Sequence, residues 1–127
     1  MGARPLRVKN KAESEASPRV RPRNLSKVRL EAMAEKATVD AYNESEQATG
    51  WFTMLDEYVD FPFDTNVLGV AVTVENVDLS DHDDIIVVCR RGKERQALPI
   101  LDLPIPSPPP SGWEWIEAYR HWARGWR

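Results

Sequence analysis

Residues 35–63 read EKATVDAYNESEQATGWFTMLDEYVDFPF, and this stretch decides the fold because the hydrophobic period changes at its end. Apolar residues recur through it three or four positions apart, except for one seven-residue step that passes over Glu44. This spacing is typical of one face of a helix. Gly50 is expected to cost about 1 kcal/mol relative to Ala without breaking the helix. The pattern predicts one long N-terminal helix, continuous from Glu35 to Asp56.

The ends of this helix carry their own signals. Ser26 precedes the first apolar positions, and a serine hydroxyl can accept a hydrogen bond from a free N–H of the first turn. The turns before Glu31 are expected to fray. Phe61-Pro62-Phe63 follows the last apolar position, and the residue before a proline disfavours the helical conformation. We therefore expect the helix to end before Phe61.

Downstream of the helix the hydrophobic period becomes two. Val70–Val74 alternate strictly, which predicts a strand, and Gly69 before them indicates a bend or bulge. The segments 85–90 and 94–100 flank Arg91-Gly92-Lys93, which predicts a hairpin. Strands this short in a small domain usually curl into a barrel.

The chain ends in a second helical pattern. Residues 104–110 are rich in proline and predict an extended connection. Ser111 can cap a last helix, and its tryptophans, Trp113, Trp115 and Trp122, are expected to close the core. The predicted fold class is α+β: a long N-terminal helix, a small SH3-like antiparallel β-barrel of four or five strands, and a short C-terminal helix.

A 45-residue window from Asp40 to Asp84 holds twelve Asp or Glu residues and no Lys or Arg. The same window carries Trp51, Phe52 and a valine-rich run, so we expect it to fold. Folding crowds like charges, and that repulsion is unfavourable unless a positive partner neutralises it. Hard cations bind several carboxylate and carbonyl oxygens. The window therefore favours a Ca²⁺ site over an enzyme active site.

The net charge of −3 conceals two oppositely charged parts. Residues 1–29 carry nine Lys or Arg against two Glu, while residues 30–127 carry eight basic and eighteen acidic side chains. We interpret residues 1–25, rich in Arg, Pro and Ser, as a disordered basic tail. Residues 26–127 are then one domain.

Cys89 is the only cysteine, so no intrachain disulfide is possible, and its apolar neighbours predict a buried thiol. No stretch approaches eighteen consecutive apolar residues, and the basic first twenty residues have no apolar core typical of a signal peptide. We therefore expect a cytoplasmic protein.

Nine carboxylates are the candidate ligands. On a helix, Asp40 and Glu44 lie one turn apart on one face, with Glu44 at the edge of the apolar stripe, where an unpaired carboxylate is costly. The polar loop 78–84 can close over that face and complete the coordination. In order of preference the predicted ligands are Asp40, Glu44 and Glu46, then Asp81, Asp83 and Asp84, and then Asp56, Glu57 and Asp60.

Other interpretations of these residues remain open. An ordinary solvated helix face also carries acids, although it normally mixes both signs of charge. The acidic loops lack the spacing of an EF-hand. Zinc is less favoured because His82, His121 and Cys89 are the only soft ligands. We expect no enzymatic activity, since the chain has no nucleophile motif and no phosphate-binding glycine loop.

Four short motifs resemble the CcbP-type bacterial calcium-binding proteins. They are Val39-Asp40-Ala41-Tyr42, then Glu44 with Glu46, then Gly50-Trp51-Phe52, and then Phe61-Pro62-Phe63. The segment from Trp115 to Trp122 is similar to the closing helix of that family. The resemblance covers about residues 37 to 124.

The resemblance implies a small soluble protein that binds Ca²⁺ through surface carboxylates, acts as a cytoplasmic buffer or sensor, and becomes more compact on binding. It implies Asp40 as the helix aspartate of the site, with Glu44 and Glu46 beside it. We expect a monomer with no membrane contact. The alternative is an SH3-like interaction module whose basic tail contacts nucleic acid or another acidic partner.

Overall fold

The computed structural model describes residues 25–126, so the predicted basic tail lies outside the described residues except for Leu25. In chain order the elements are α1 (Lys27–Ala37), α2 (Glu44–Tyr58), β1 (Phe63–Val67), β2 (Val70–Leu79), β3 (Ile85–Arg91), β4 (Glu94–Pro99), a 3₁₀ turn (Ile100–Asp102), α3 (Trp113–His121) and a terminal turn (Trp122–Trp126). Among these elements, no helix has the length and apolar character needed to cross a membrane.

Two helices occupy the stretch for which one long helix was predicted, so that prediction is wrong. α1 does begin at the predicted cap, where Ser26 Oγ accepts a hydrogen bond from the N–H of Arg29 at 3.0 Å. It ends at Thr38, whose hydroxyl donates to a backbone carbonyl one turn back at 2.8 Å. Asp40 then takes a left-handed φ of 60°, which no α-helix continues through. Asn43 starts α2 as a new helix cap.

The four strands form one antiparallel sheet in the order β1–β2–β3–β4. Leu68 and Gly69, with φ of 52° and 80°, make a two-residue turn between β1 and β2. Gly69 therefore belongs to a hairpin turn and not to a bulge within a strand. The hairpin predicted at residues 91–93 is present, with Gly92 and Lys93 as its loop. The register shifts once, near Glu75 in β2.

This sheet is open, so the predicted SH3-like barrel is also wrong. β1 and β4 are its two edges and do not pair with each other. After the 3₁₀ turn the chain passes β1, where the hydroxyl of Thr65 donates to the carbonyl of Pro104 at 3.0 Å. Proline has no N–H and cannot form a strand ladder. The segment Pro104–Pro106 therefore covers the edge of β1 without closing the sheet.

The core lies between the helices and one face of the sheet, and Trp51 is at its centre. The ring of Trp51 is fully buried, with centroid distances of 6.3 Å to Trp115, 5.3 Å to Tyr119 and 5.6 Å to Trp122. Such aromatic pairs contribute about 0.5–1.5 kcal/mol each beyond the burial of their area. The largest fully buried side chains are Trp51, Leu55, Ile100, Leu103, Ile116, Val59, Val74 and Val87. The predicted burial of Cys89 is confirmed.

α3 begins one residue later than predicted, at a glycine cap. Gly112 has a left-handed φ of 85°, and a Cβ added to it would lie 1.9 Å from the carbonyl oxygen of Tyr58. The hydroxyl of Ser111 makes no capping bond. Its backbone carbonyl instead accepts from the N–H of Asp60 at 2.9 Å, which joins the end of α2 to the start of α3.

Candidate metal site

The loop between β2 and β3, residues 80–84, is held by its serine. Ser80 Oγ accepts hydrogen bonds from the N–H groups of His82 and Asp84, both at 3.1 Å. The Ser80 carbonyl accepts from the N–H of Asp83 at 3.0 Å, and its N–H donates to the Asp84 carbonyl at 2.9 Å. Asp83 has a φ of 65°. The loop backbone is therefore shaped by Ser80, and the three aspartates, which include Asp81, are exposed.

The N-terminus of α2 is capped by a reciprocal pair. Asn43 Oδ1 accepts from the N–H of Glu46 at 2.8 Å, and Glu46 Oε1 accepts from the N–H of Tyr42 at 2.6 Å. This arrangement is close to a capping box, in which each side chain satisfies a free N–H of the helix end. Glu46 thus stabilises the helix start, while Glu44, the first residue of α2, is exposed. Glu44, predicted at the edge of the apolar stripe, lies one turn before the buried Ala48 and is itself solvent-exposed.

One cleft brings these two acidic segments together. It has a volume of about 570 Å³ and lies between the start of α2, the loop 80–84 and the C-terminal helix. The residues that line it are Glu44, Gln47, Ala48, His82, Asp83, Asp84, Leu101, Tyr119, Trp122 and Ala123. Three of the nine predicted ligands, from two separate sequence groups, therefore share one cavity.

The other six predicted ligands do not line this cleft. Asp40 lies in the connection between α1 and α2, and Glu46 is part of the helix cap. Asp81 belongs to the loop but not to the cleft wall. Asp56 and Glu57 lie in the last turn of α2, with Asp60 just after it.

Sequence reasoning missed several residues of the cleft wall. Gln47 lies one turn after Glu44 on α2, so the spacing of three positions is a signal that identifies it. His82, considered above only as a zinc ligand, is an exposed loop residue that also lines the cleft. Tyr119 and Trp122 reach the cleft from α3 and the terminal turn, and their aromatic character predicted only core packing.

The donors of the cleft suit a hard cation, but they do not yet converge. Ca²⁺ takes roughly six to eight oxygen ligands at about 2.3–2.6 Å. Glu44, Asp83 and Asp84 offer carboxylate oxygens, and Gln47 offers an amide oxygen. Within residues 25–126, however, no three His, Cys, Asp or Glu side chains are already grouped as a metal-binding set. The donor chemistry therefore fits Ca²⁺, and the side chains must move inward to hold it.

The protein is thus an open antiparallel sheet packed on three helices, with a cleft rich in oxygen donors at one end. Residues 31–123 match the CcbP family, which is described as calcium binding. The chain belongs to this family of calcium-binding proteins. The resemblance stated from the sequence is confirmed, and Ca²⁺ is the ion that the family binds.

Two solved structures share the fold. The crystal structure of Anabaena CcbP is 21% identical, with a TM-score of 0.61, and the match covers 78% of this chain and 92% of that chain. A calcium-binding protein in its calcium-binding form is 23% identical, with a TM-score of 0.57 and coverage of 81% and 99%. No curated protein matches this chain. At these identities the likeness shows the fold and not the individual ligands.

Proposed function

We propose that this protein binds Ca²⁺ in the cleft between α2 and the loop 80–84, with Glu44, Asp83 and Asp84 as its carboxylate ligands. One observation carries the proposal: acids that lie some forty positions apart in the sequence line a single cavity in a member of a calcium-binding family. Gln47 and carbonyl oxygens of the loop complete the oxygen set.

The electrostatics of the cleft favour a divalent ion. Three carboxylates line it, together with His82 as the only basic group among its residues. A bound cation relieves the repulsion between these carboxylates. The positive end of the α2 dipole stabilises the Glu44 anion and repels the cation, so the attraction of the three carboxylates must exceed this repulsion.

The same geometry sets the expected strength of binding. Because the ligands converge only when the ion arrives, part of the interaction energy orders the side chains and the loop. We expect a dissociation constant of about 10⁻⁵–10⁻³ M, the range of calcium sites with low preorganisation. Bound ion then stabilises the fold by about 2.7 kcal/mol when free Ca²⁺ is a hundred times that constant.

A matched pair of variants tests the location of the site. Glu44→Gln removes a cleft carboxylate and is expected to weaken Ca²⁺ binding about tenfold in calorimetric titration. Glu46→Gln removes the same charge two residues away, where it caps the helix. It is expected to lower the melting temperature and to leave the Ca²⁺ affinity close to that of the parent protein.

The variant Asp40→Asn distinguishes a calcium site in this cleft from one at Asp40, the position implied by the family resemblance. Asp40 does not line the cleft, so its variant is expected to titrate like the parent protein. A large loss of affinity in Asp40→Asn together with none in Glu44→Gln contradicts the location proposed here. Equal, negligible heats for Ca²⁺ and Mg²⁺ in the parent protein contradict the function itself.

The cellular role that we propose is that of a cytoplasmic, non-catalytic Ca²⁺ buffer or sensor. Weak, exposed carboxylate ligands support fast exchange with the surrounding Ca²⁺ pool, and a lone buried cysteine is compatible with a reducing compartment. Hydrogen exchange with and without Ca²⁺ distinguishes the two roles. Protection confined to the loop 80–84 indicates a buffer, whereas a change that extends through α3 indicates a sensor.

A further inference from the structure

A second concave surface lies on the core-facing side of the sheet and shares no residue with the acidic cleft. Along β2 the side chains on this face are buried at Val74 and Val77, half-buried at Val72 and exposed at Val70. The helices therefore cover one end of the sheet and leave open the end that carries the two hairpin turns. A groove of about 570 Å³ occupies this open end.

The groove has an apolar floor and a polar rim. Val67, Val72 and Leu98 form the floor, and Leu68, 97% exposed, lies at one end of it in the β1–β2 turn. The polar side chains that line the groove are Arg91, Glu94, Arg95 and Gln96. Exposed apolar surface with a polar rim is typical of a docking site.

The charge of this region is opposite to that of the domain around it. From residue 37 to residue 119 the chain has four Lys or Arg residues, all in the β3–β4 hairpin: Arg90, Arg91, Lys93 and Arg95. Glu75 engages two of them, with Oε2 at 2.6 Å from Arg90 Nε and Oε1 at 2.8 Å from Arg95 Nε. Among the described residues, Arg91 and Lys93 have no ion pair. Glu94 lies opposite Arg91 at the tip, so Arg91, Lys93 and Glu94 together leave one excess positive charge beside the groove.

The edge of the sheet next to the groove is also open. β4 is an edge strand, and its residues Glu94–Ala97 are exposed. Hydrogen-bonded pairs alternate with non-bonded pairs from the turn onward, so the backbone groups of Arg95 and Ala97 face away from β3. An extended chain can pair with such groups. Pro99 has no N–H, which confines an added strand to the hairpin end, alongside the groove.

We propose that this groove and the β4 edge bind an extended acidic segment of a partner protein, with apolar side chains at alternate positions. A strand added to β4 turns every second side chain toward the face of the sheet that carries Leu98. Its acidic side chains then point to the opposite face of the sheet, on which Arg90 and Arg95 lie. Charged side chains on the β4 edge disfavour pairing with a neutral strand, and an acidic strand is less disfavoured because its charge is opposite.

Two other occupants fit less well. A second copy of this chain has no free segment of this kind within residues 25–126, because its acidic and apolar stretch Val72–Leu79 is part of β2, which pairs with β1 up to Val74 and with β3 from Thr73 onward. Nucleic acid is disfavoured because the groove wall contains no aromatic side chain on which a base can stack.

A designed peptide pair tests the proposal on the full chain. The probe is an eight-residue peptide of alternating Glu and Val, and its control has Lys in place of Glu. Binding is followed by amide chemical shifts of labelled protein, in the presence of a calcium chelator so that the acidic peptide does not act by removing Ca²⁺. We expect the acidic peptide to shift the amides of Arg91, Lys93, Arg95 and Ala97, and the lysine peptide to leave them in place.

Charge-reversal variants locate the contact. The double variant Arg91→Glu/Lys93→Glu is expected to weaken binding of the acidic peptide about tenfold or more, because the hairpin tip then carries net negative charge and repels it. Lys36→Glu, an exposed reversal on α1 outside the groove, is the matched control and is expected to bind as the parent protein does. Circular dichroism confirms that each variant is folded.

Three results overturn the proposal. They are equal binding of the acidic and lysine peptides, shifts centred on the acidic cleft, and hairpin shifts that depend on protein concentration without peptide, which indicate self-association. Because every titration is performed without Ca²⁺, these results leave the calcium-binding proposal untouched.

Discussion

Gly50 of α2 lies directly against the carbonyl of Ala37 at the end of α1. A Cβ added to Gly50 would be 2.0 Å from that oxygen and 3.2 Å from the carbonyl carbon. These are backbone atoms, so no side-chain rotation relieves the clash. The close approach lets α1 fold back onto α2 and buries Ala34 and Ala37.

Gly50→Ala is therefore expected to destabilise the protein, although alanine favours a helix by about 1 kcal/mol over glycine. Overpacking against a backbone carbonyl costs about 1–3 kcal/mol, which exceeds the gain in propensity. Urea unfolding should show a lower midpoint for Gly50→Ala. Ser45→Ala, an exposed helix substitution, is the control, and a more stable Gly50→Ala protein contradicts the close contact.

The same pair of residues explains what the sequence did and did not predict about the helices. Apolar periodicity correctly identified Ala37, Trp51 and Leu55 as buried. It did not detect the break between the helices, because both helices direct their apolar residues toward one core and the period resumes after residues 38–43. Asn43 followed three positions later by Glu46 was the local signal of a new helix start.

For the sheet and the candidate site, too, local features were predicted from the sequence and tertiary features were not. Strand alternation predicted β2, and the glycine of residues 91–93 predicted the hairpin, because both are local properties. Whether β1 pairs with β4 depends on where the prolines after β4 lie, which is a tertiary property. Likewise, charge counting identified Glu44, Asp83 and Asp84 among nine acids but had no means of telling which of them share a cleft.

Glu75 is expected to make stability depend on pH at the acidic end. Hydrogen bonds from Arg95 and Arg90 lower the pKa of its carboxyl below the usual 4.5. A carboxyl with a lowered pKa in the folded state stabilises the protein above about pH 4.5, and this contribution is lost as the pH falls through the lowered pKa. The stability difference between the parent protein and Glu75→Gln should therefore be largest near pH 6 and shrink toward pH 3.

A background that lacks both arginines provides the control for Glu75. In the Arg90→Gln/Arg95→Gln protein, the effect of Glu75→Gln on stability should no longer depend on pH in this way. Urea unfolding at several pH values and low salt measures this, since salt screens exposed ion pairs. A difference that persists unchanged at pH 3 contradicts the role of the two arginines.

Arg120 joins α3 to the 3₁₀ turn after β4. Its Nη2 donates to the carbonyls of Ile100 and Leu103, and Nη1 donates to Glu117 at 3.1 Å. Burial lowers the pKa of this guanidinium, which nevertheless stays charged. Arg120→Leu leaves two carbonyls without their donor, and we expect a loss of about 2–4 kcal/mol in unfolding free energy.

The control for Arg120 is an exposed arginine four residues later. Arg124→Leu should change the unfolding free energy by no more than about 0.5 kcal/mol, as is usual for surface substitutions. If Arg120→Leu proves as stable as Arg124→Leu, the two carbonyls are satisfied in another way and the link between α3 and the 3₁₀ turn is not needed for stability.

Trp122 connects the acidic cleft to the core and should report ion binding. It lines the cleft, and its ring centroid lies 5.6 Å from that of the fully buried Trp51. When Glu44 and the loop aspartates move inward around Ca²⁺, the net charge beside Trp122 becomes less negative. Tryptophan emission should therefore change on addition of Ca²⁺ and return on addition of chelator.

The variant Trp122→Phe distinguishes this reporter from the other four tryptophans. It keeps an aromatic ring against Trp51, so we expect a folded protein with most of the Ca²⁺-dependent change in emission removed. Calorimetry should still detect Ca²⁺ binding, because phenylalanine removes none of the proposed oxygen ligands. If the emission change is undiminished in Trp122→Phe and Glu44→Gln still binds Ca²⁺ as tightly as the parent protein, the ion lies outside this cleft.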